Sequence, residues 1–240
     1  MKAVLLAGGA GTRLRPLTKL YNKHMLPVGD RPMIGHAIAK VKEAGIREVV
    51  LVTGRESAGS FIAYLGSGRE AGLSITYRIQ EEAGGIAEAL AQAEPAIDPD
   101  DKIVVLLGDN LFEEPLKPHI EAFEAQPEGA MVLLKRVDDP GRYGVPVFDG
   151  SGRIARIEEK PERPASDLCV TGIYFYHADV FGIIRRLRPS RRGELEITDV
   201  NNVYAASGKL THRTLTGWWT DAGTFESWHE AIDRFGRRRT

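Results

Sequence analysis

Leu6 to Pro16 reads LAGGAGTRLRP and continues an apolar run, Ala3 to Leu6, that begins almost at the N-terminus. A short uninterrupted apolar run bounded by glycines reads as a buried strand, so the strand ends in a glycine-rich loop. Gly8, Gly9 and Gly11 carry no Cβ, which lets backbone N–H groups close on a bound polyphosphate. Arg13 adds a fixed positive charge within reach of the same anion. Taken alone, the glycines fit an ordinary tight turn between strand and helix equally well. The spacing excludes two familiar nucleotide loops: there is no GK[ST] ending, and the third glycine of GxGxxG would fall on Leu14.

A chain of 240 residues can bury a full core and suits one large α/β domain, or one domain with an inserted sub-domain. The formal net charge of −1 gives no electrostatic footprint for nucleic acid or a membrane surface. The basic triplet Arg237 to Arg239 reads as a solvated end. Cys169 is the single cysteine, which excludes an internal disulfide and fits a reducing compartment. Its neighbours Leu168 and Val170 mark it as a core residue rather than a nucleophile. No apolar run is long enough to span a bilayer and the N-terminus lacks signal-peptide architecture, so a soluble cytoplasmic protein is expected. The six histidines are scattered without metal-ligand spacing. A metal, if used, is therefore expected to be a hard cation held by carboxylates and substrate phosphates.

The first half alternates in type. A helical pattern runs from Arg31-Pro32 to Ala44, with Ile34, Ile38 and Val41 on one face and Gly45 as its stop. Glu48 to Thr53 reads as a strand, Ser57 to Leu65 as a helix, Leu73 to Ile79 as a strand and Ile86 to Ala93 as a helix. Ile103 to Leu107, IVVLL, is a strand with no alternation at all. Strands apolar on both faces and separated by helices imply a parallel sheet covered on both sides. Ligands then bind beyond the carboxyl ends of the strands, and the loops after the first, third and fourth strands should converge there. In the second half, Ala130 to Arg136 reads as a further core strand. Val145 to Phe148, Arg153 to Lys160 and Leu168 to Tyr176 read as a β-rich segment packed against the sheet and closing one side of the cleft. A helix is expected over Asp199 to Ala206, a strand over Lys209 to Thr214 and a last helix over Thr224 to Phe235. No repeat, linker or clean domain boundary is visible.

Four places carry polar groups suited to chemistry. Asp109 follows IVVLL directly, where its carboxylate projects into the cleft and needs a positive partner; an Asp-turn or helix cap is the alternative. Asp221 reads alone as a turn residue or the N-cap of the last helix. Gln80 ends the third strand with an amide that offers a donor and an acceptor together, suited to the edge of thymine or uracil, or is simply a polar strand terminus. Glu158 to Pro161 is a charged strand end.

The run Gly8 to Thr18, followed by Lys23, Leu26, Pro27 and Val28, matches GGxGTRLxPLT, a lysine and LPV. It resembles the signature of the sugar-1-phosphate nucleotidyltransferases, and further elements of that family follow in order as far as about Phe235. Gly108-Asp109-Asn110 resembles the family's metal-binding aspartate. Trp219 to Thr224 resembles its WxDTGT element, with Ala222 where threonine is usual. The segment from Gln80 to Gly85-Ile86-Ala87 resembles its base-recognition segment without the usual proline. Tyr143-Gly144-Val145, Glu158 to Pro161 and Val170 to Tyr174 resemble sugar-site elements. Arg192 to Asp199 resembles RGELEITD of the branch that takes a hexose 1-phosphate with dTTP or UTP.

The resemblance implies a Rossmann-like α/β fold with a mostly parallel central sheet, helices on both faces and a β-rich sugar-binding sub-domain, built as one domain. Residues to about 130 would bind nucleotide, and about 131–240 sugar phosphate. It implies nucleotide contacts at Leu6, Ala7, Gly8, Gly9, Gly11, Thr12, Arg13, Gln80, Gly85 and Asp109. Sugar-phosphate contacts are implied at Tyr143, Gly144, Glu159, Lys160, Val170, Thr171 and Arg192. Arg13 would hold the β- and γ-phosphates and Lys23 the α-phosphate, with Mg²⁺ on Asp109 and Asp221. The implied reaction is thymidylyl transfer from dTTP to α-D-glucose 1-phosphate without a covalent intermediate, with UTP or another hexose 1-phosphate as alternatives. A non-catalytic nucleotide- or sugar-sensing module is the alternative from another class; a degenerate copy would have lost Arg13, Lys23, Asp109 or Asp221, and all four are present. Larger bacterial members of the family continue with helices that serve an allosteric site and subunit contacts. With the stop at Thr240, feedback by a dTDP-sugar is expected to be absent or altered, and a homodimer to be more secure than a tetramer.

Overall fold

A computed structural model describes residues 1–236; the basic triplet Arg237 to Arg239 lies outside the described residues. Seven strands form the main sheet: β1 Lys2–Ala7, β2 Glu48–Gly54, β3 Ser74–Gln80, β4 Lys102–Leu107, β5 Ala130–Arg136, β6 Leu168–His177 and β7 Leu210–Thr214. Their order is β7-β5-β6-β4-β1-β2-β3. β1 pairs in parallel with β2 and β4, β2 with β3, and β5 with β7. Within this sheet only β6 runs against its neighbours, β4 and β5. The sheet is therefore mostly parallel, as the apolar runs predict. One expectation changes: Leu168 to Tyr176 is not part of a segment packed on the sheet but a central strand of it. What remains of that segment is the antiparallel hairpin of Gly144–Phe148 with Ile154–Glu159. The hairpin turns where the Asp149 carboxylate accepts from the N–H groups of Ser151 and Arg153.

The helices are α1 Met33–Glu43, α2 Ala58–Leu65, α3 Ile86–Ala91, α4 Lys117–Glu124, α5 Val180–Ile184, α6 Ile197–Ala206 and α7 Phe225–Gly236. Successive residues of a strand face opposite sides. Accordingly Val4 and Leu6 of β1 share a core with α3, α5 and α6, while Ala3, Leu5 and Ala7 share another with α1, α2 and α4. Burial on both faces is why β4 shows no polar alternation. α1 starts at Met33 rather than at Arg31-Pro32, because Arg31–Pro32 pairs with Pro27–Val28 in a small antiparallel ladder. α6 starts two residues before the expected Asp199, at Ile197. The sequence reading does not anticipate α4, eight residues long, or α5, five residues long; at that length an apolar stripe of period 3.6 barely completes.

α7 packs Ala231 and its aromatic face on Leu14, Leu26, Val28 and Met33. The Trp228 indole N–H donates to the Pro27 carbonyl at 2.9 Å. The end of the described chain thus clamps the segment that follows the glycine-rich loop. No described helix is long and apolar enough to cross a membrane.

Candidate active site

The loops after β1, β3 and β4 do converge, and they form one wall of a cleft of about 670 Å³. Leu6, Gly8, Gly9, Gly11, Thr12, Arg13, Lys23, Gln80, Gly85 and Asp109 line that side. Tyr143, Gly144, Glu159, Lys160, Val170, Arg192 and Asp221 line the rest. Two residues implied by the resemblance stand outside. Ala7 is fully buried in β1, its carbonyl accepting from the Asn22 amide at 3.1 Å. Thr171 is fully buried too, its hydroxyl donating to the Leu133 carbonyl at 2.9 Å.

The position of Thr171 follows from a bulge. The register of β6 on β5 jumps between Val170 and Tyr174, which leaves backbone groups without ladder partners. Thr171 takes up one carbonyl on the β5 side. On the other side the Gly172 N–H donates to Asn110 Oδ1 at 2.8 Å. Gly172 has to be glycine, since a Cβ would overlap the Asn110 amide. The same Asn110 oxygen accepts the Trp219 indole N–H at 2.9 Å, and the Asn110 amide donates to Asp109 Oδ1 at 3.2 Å.

Asp109 and Asp221 are separated by more than a hundred residues and meet through a two-stranded ladder of Asn110–Phe112 with Trp219–Asp221, in which Asn110 faces Asp221. The Ala222 N–H donates to the Asp109 carbonyl at 2.9 Å, locking the two loops together. Asp109 forms a hydrogen-bonded ion pair with Lys23. Burial opposes its charge, but the Lys23 ammonium beside it holds the carboxyl well below the usual carboxylate range. Asp221 goes the other way: burial pushes it up, a hydrogen bond from Tyr143 opposes that shift, and the charge of Asp109 adds to it. Arg13 reaches to 4.0 Å from Asp221 Oδ2 with more than half of its side chain still exposed. The site therefore holds two carboxylates of unequal basicity under two cations. Among the described residues no group of three or more His, Cys, Asp or Glu assembles. Two carboxylates on an open cleft are a donor set that fits a hard divalent cation completed by phosphates and water.

On the far wall Glu159 accepts from the Thr198 hydroxyl at 2.6 Å and lies 3.7 Å from the Lys160 ammonium. Lys160 has φ 46, a left-handed backbone uncommon for a residue with a Cβ. Arg192 is engaged by Glu196 in a bidentate pair and lies 3.5 Å from Glu194 and 3.7 Å from Glu159. A phosphate would have to compete with these carboxylates for Arg192. Lys160 faces one carboxylate and is the freer cation.

Sequence reasoning missed several lining residues: His24, Asn110, Arg142, Tyr174, Thr198 and Trp219. Asn110 and Thr198 sit inside motifs already singled out, next to Asp109 and within Arg192 to Asp199, and that adjacency was the available signal. Tyr174 and Trp219 also sit inside quoted motifs, at the end of Val170 to Tyr174 and the start of Trp219 to Thr224, but both side chains are buried and read as core; the bulge and the ladder bring them to the cleft.

The fold and this arrangement define a nucleotidyltransferase, and comparison with known proteins agrees. The family described as nucleotidyl transferase matches residues 2–237, and the chain belongs to it. The chain is 42% identical over 234 residues to a glucose-1-phosphate thymidylyltransferase of Neisseria meningitidis, covering 96% of this chain and 81% of that protein. It is 40% identical over 236 residues to the enzyme of that name from Mycobacterium tuberculosis, covering 97% and 81%. Among solved structures, a Bacillus anthracis chain assigned as a glucose-1-phosphate thymidylyltransferase and crystallised with sucrose superposes with a TM-score of 0.94 at 50% identity, covering 98% and 95% of the two chains. A UDP-glucose pyrophosphorylase in complex with UDP-glucose gives 0.86 at 28% identity, covering 99% of each.

Proposed function

We propose that this chain transfers the thymidylyl group of dTTP to α-D-glucose 1-phosphate, giving dTDP-glucose and pyrophosphate. The observation that carries the reading is the meeting, in one cleft, of the glycine-rich loop, Arg13, Lys23 and the Asp109–Asp221 pair with a second wall bearing Glu159 and Lys160. Relatives named for this reaction align over 96–97% of the chain.

The residues to about 130 carry the nucleotide in this reading, and the remainder carries the sugar phosphate and supplies Asp221. The backbone at Gly8 to Thr12 cradles the triphosphate and Arg13 draws its β- and γ-phosphates. An ammonium has three donors; Lys23 spends one on Asp109 and turns the others to the α-phosphoryl oxygens, where charge accumulates in the transition state. Glu159 accepts from sugar hydroxyls, Lys160 pairs with the sugar phosphate, and Gly144 and Val170 shape the pocket. An oxygen of that phosphate attacks the α-phosphorus in line; the new P–O bond forms as the bond to the β-phosphate oxygen breaks, and pyrophosphate leaves. The attacking phosphate is already ionised, so the chain supplies position and charge rather than a general base. Mg²⁺, held by Asp109 and Asp221 together with the phosphates, supplies charge neutralisation at the α-phosphate when bound. A cytoplasmic site of action belongs to the same reading, since both substrates are charged metabolites of that compartment.

The test is pyrophosphate release with Mg²⁺ for dTTP, UTP, CTP, ATP and GTP, each paired with glucose, galactose and mannose 1-phosphate. Preference for dTTP with glucose 1-phosphate, abolished in Asp109→Ala, is the expected result. Preference for UTP would move the chain toward the UDP-glucose pyrophosphorylases it resembles in fold, and silence across the whole grid would overturn the reading.

A further inference from the structure

We propose that Glu88 is a positioning residue that fixes which end of the Gln80 amide meets the nucleobase, and thereby selects thymine or uracil against cytosine. The inference rests on the proposed thymidylyl transfer, together with the expectation from the sequence that the Gln80 amide meets the base edge.

Gln80 is the last residue of β3 and is only 6% exposed, so its amide cannot satisfy itself freely with water. An amide turned by 180° occupies the same volume and exchanges a donor for an acceptor. What decides between the two orientations is the set of groups around it. Here the amide nitrogen is enclosed by acceptors: it donates to Glu88 Oε2, and its second partner is the Gly85 carbonyl at 3.4 Å. Turning the amide would set its oxygen against a carboxylate and a carbonyl while losing both hydrogen bonds.

Glu88 is itself held. Its Oε1 accepts from the Gln92 amide at 2.6 Å, and the Gln92 carbonyl accepts from Arg78 Nε at 2.9 Å, which ties α3 back to β3. The order runs in one direction, Gln92 donating to Glu88 and Gln80 donating to Glu88. A carboxylate is an acceptor only, so it imposes this order, whereas a neutral amide at position 88 would not.

The consequence appears at Gln80 Oε1. That oxygen lies directly over Gly8, where a Cβ would overlap it, and it receives no hydrogen bond from the described residues. Both Gln80 and Gly8 line the cleft. The base thus meets a fixed acceptor. Thymine and uracil present the N3–H donor that satisfies it; cytosine presents a lone pair at the same ring position, and two acceptors are left facing each other. An unpaired buried polar atom is the kind of penalty that separates substrates strongly.

The measurement is kcat/KM for dTTP divided by kcat/KM for dCTP, with glucose 1-phosphate and Mg²⁺, for the wild-type chain and for Glu88→Gln, Gln80→Ala and the double variant. In Glu88→Gln the amide at 80 is free to turn, so the ratio is expected to fall by about tenfold or more, chiefly through gain on dCTP. The same exchange in the Gln80→Ala background should leave the ratio where Gln80→Ala alone puts it. A helix-packing role for Glu88 would lower both substrates alike and leave the ratio unchanged, which overturns the proposal. If Gln80→Ala lowers the ratio and Glu88→Gln does not, Gln80 reads the base without Glu88 and the inference alone fails. If neither moves it, the base-reading role of Gln80 fails and takes the inference with it. Should Glu88→Gln not fold, Glu88→Leu removes the acceptor without leaving a polar group to satisfy and reads the same ratio.

Discussion

The Tyr143 hydroxyl donates to Asp221 Oδ1 at 2.7 Å, leaving Oδ2 on the side of Arg13. Tyr143 comes from the loop before the hairpin and Asp221 from the end of the short ladder. The tyrosine thus acts on the carboxylate as well as lining the cleft. It opposes the upward push on Asp221 from burial and from the charge of Asp109. Tyr143→Phe removes that opposition, so the Asp221 carboxyl is expected to rise further and to ionise only at higher pH. The acid limb of the pH–rate profile should move to higher pH, and more Mg²⁺ should be needed for half-maximal rate. A limb that stays in place would show that Tyr143 does not tune Asp221.

Lys23 and Asp109 have side chains only 15% and 9% exposed. Removing the cation leaves a buried carboxylate alone, which typically costs ~3–5 kcal/mol. Lys23→Met is therefore expected to lower the urea midpoint substantially and to abolish turnover. Adding Asp109→Asn should restore much of the stability and none of the activity. The linkage has a definite sign: the folded Asp109 carboxyl lies below its unfolded value, so the pair's contribution is present above the ordinary aspartate range and is lost as pH falls through the folded value. Equal urea midpoints for Lys23→Met and wild type at neutral pH would refute the account.

His24 is buried beside this pair and accepts no net charge. Burial, then the Lys23 ammonium, push it from 6.5 down to about 3. Between those two pH values the unfolded chain binds a proton that the folded chain refuses, so stability is lost as the pH is lowered through the window. His24→Gln removes the titration, and urea midpoints measured from pH 7 to 4 should then decline less steeply than in wild type. Parallel declines would mean that His24 is protonated in the fold.

Lys160 occupies the left-handed region at φ 46. Glycine adopts that backbone freely, and relief of the strain is of the order of 1 kcal/mol. Lys160→Gly is expected to keep or slightly raise the melting temperature while KM for the sugar phosphate rises at least about tenfold. A variant that melts lower, with KM unchanged, would assign Lys160 to structure instead of substrate.

Much of the fold was legible in local pattern. The apolar runs of β1, β2 and β4 name themselves because both faces of the sheet are covered; the first helix stops at Gly45, which takes the left-handed φ of 85 that ends a helix, and β4 stops where Gly108-Asp109 follows Leu107. The strand Leu168–His177 was also visible as a strand, but its place was not. Nothing in its composition says that it enters between β4 and β5 against the direction of both. Strand order and direction are set by which elements cover which face, and that information is spread over the whole chain.

The candidate site divides in the same way. Sequence alone determined the residue types, since the glycines at 8, 9 and 11, Arg13, Lys23, Asp109 and Asp221 stand in motifs whose spacing is local. Tertiary structure alone decided their states. Asp109 and Asp221 have the same side chain, yet Lys23 pulls one down while burial pushes the other up. Thr171 lies one residue from two cleft residues, yet a bulge turns it away. Arg192 keeps its charge but shares it with three glutamates. A motif fixes which groups are present; their direction, protonation and freedom depend on neighbours brought together only when the chain has folded.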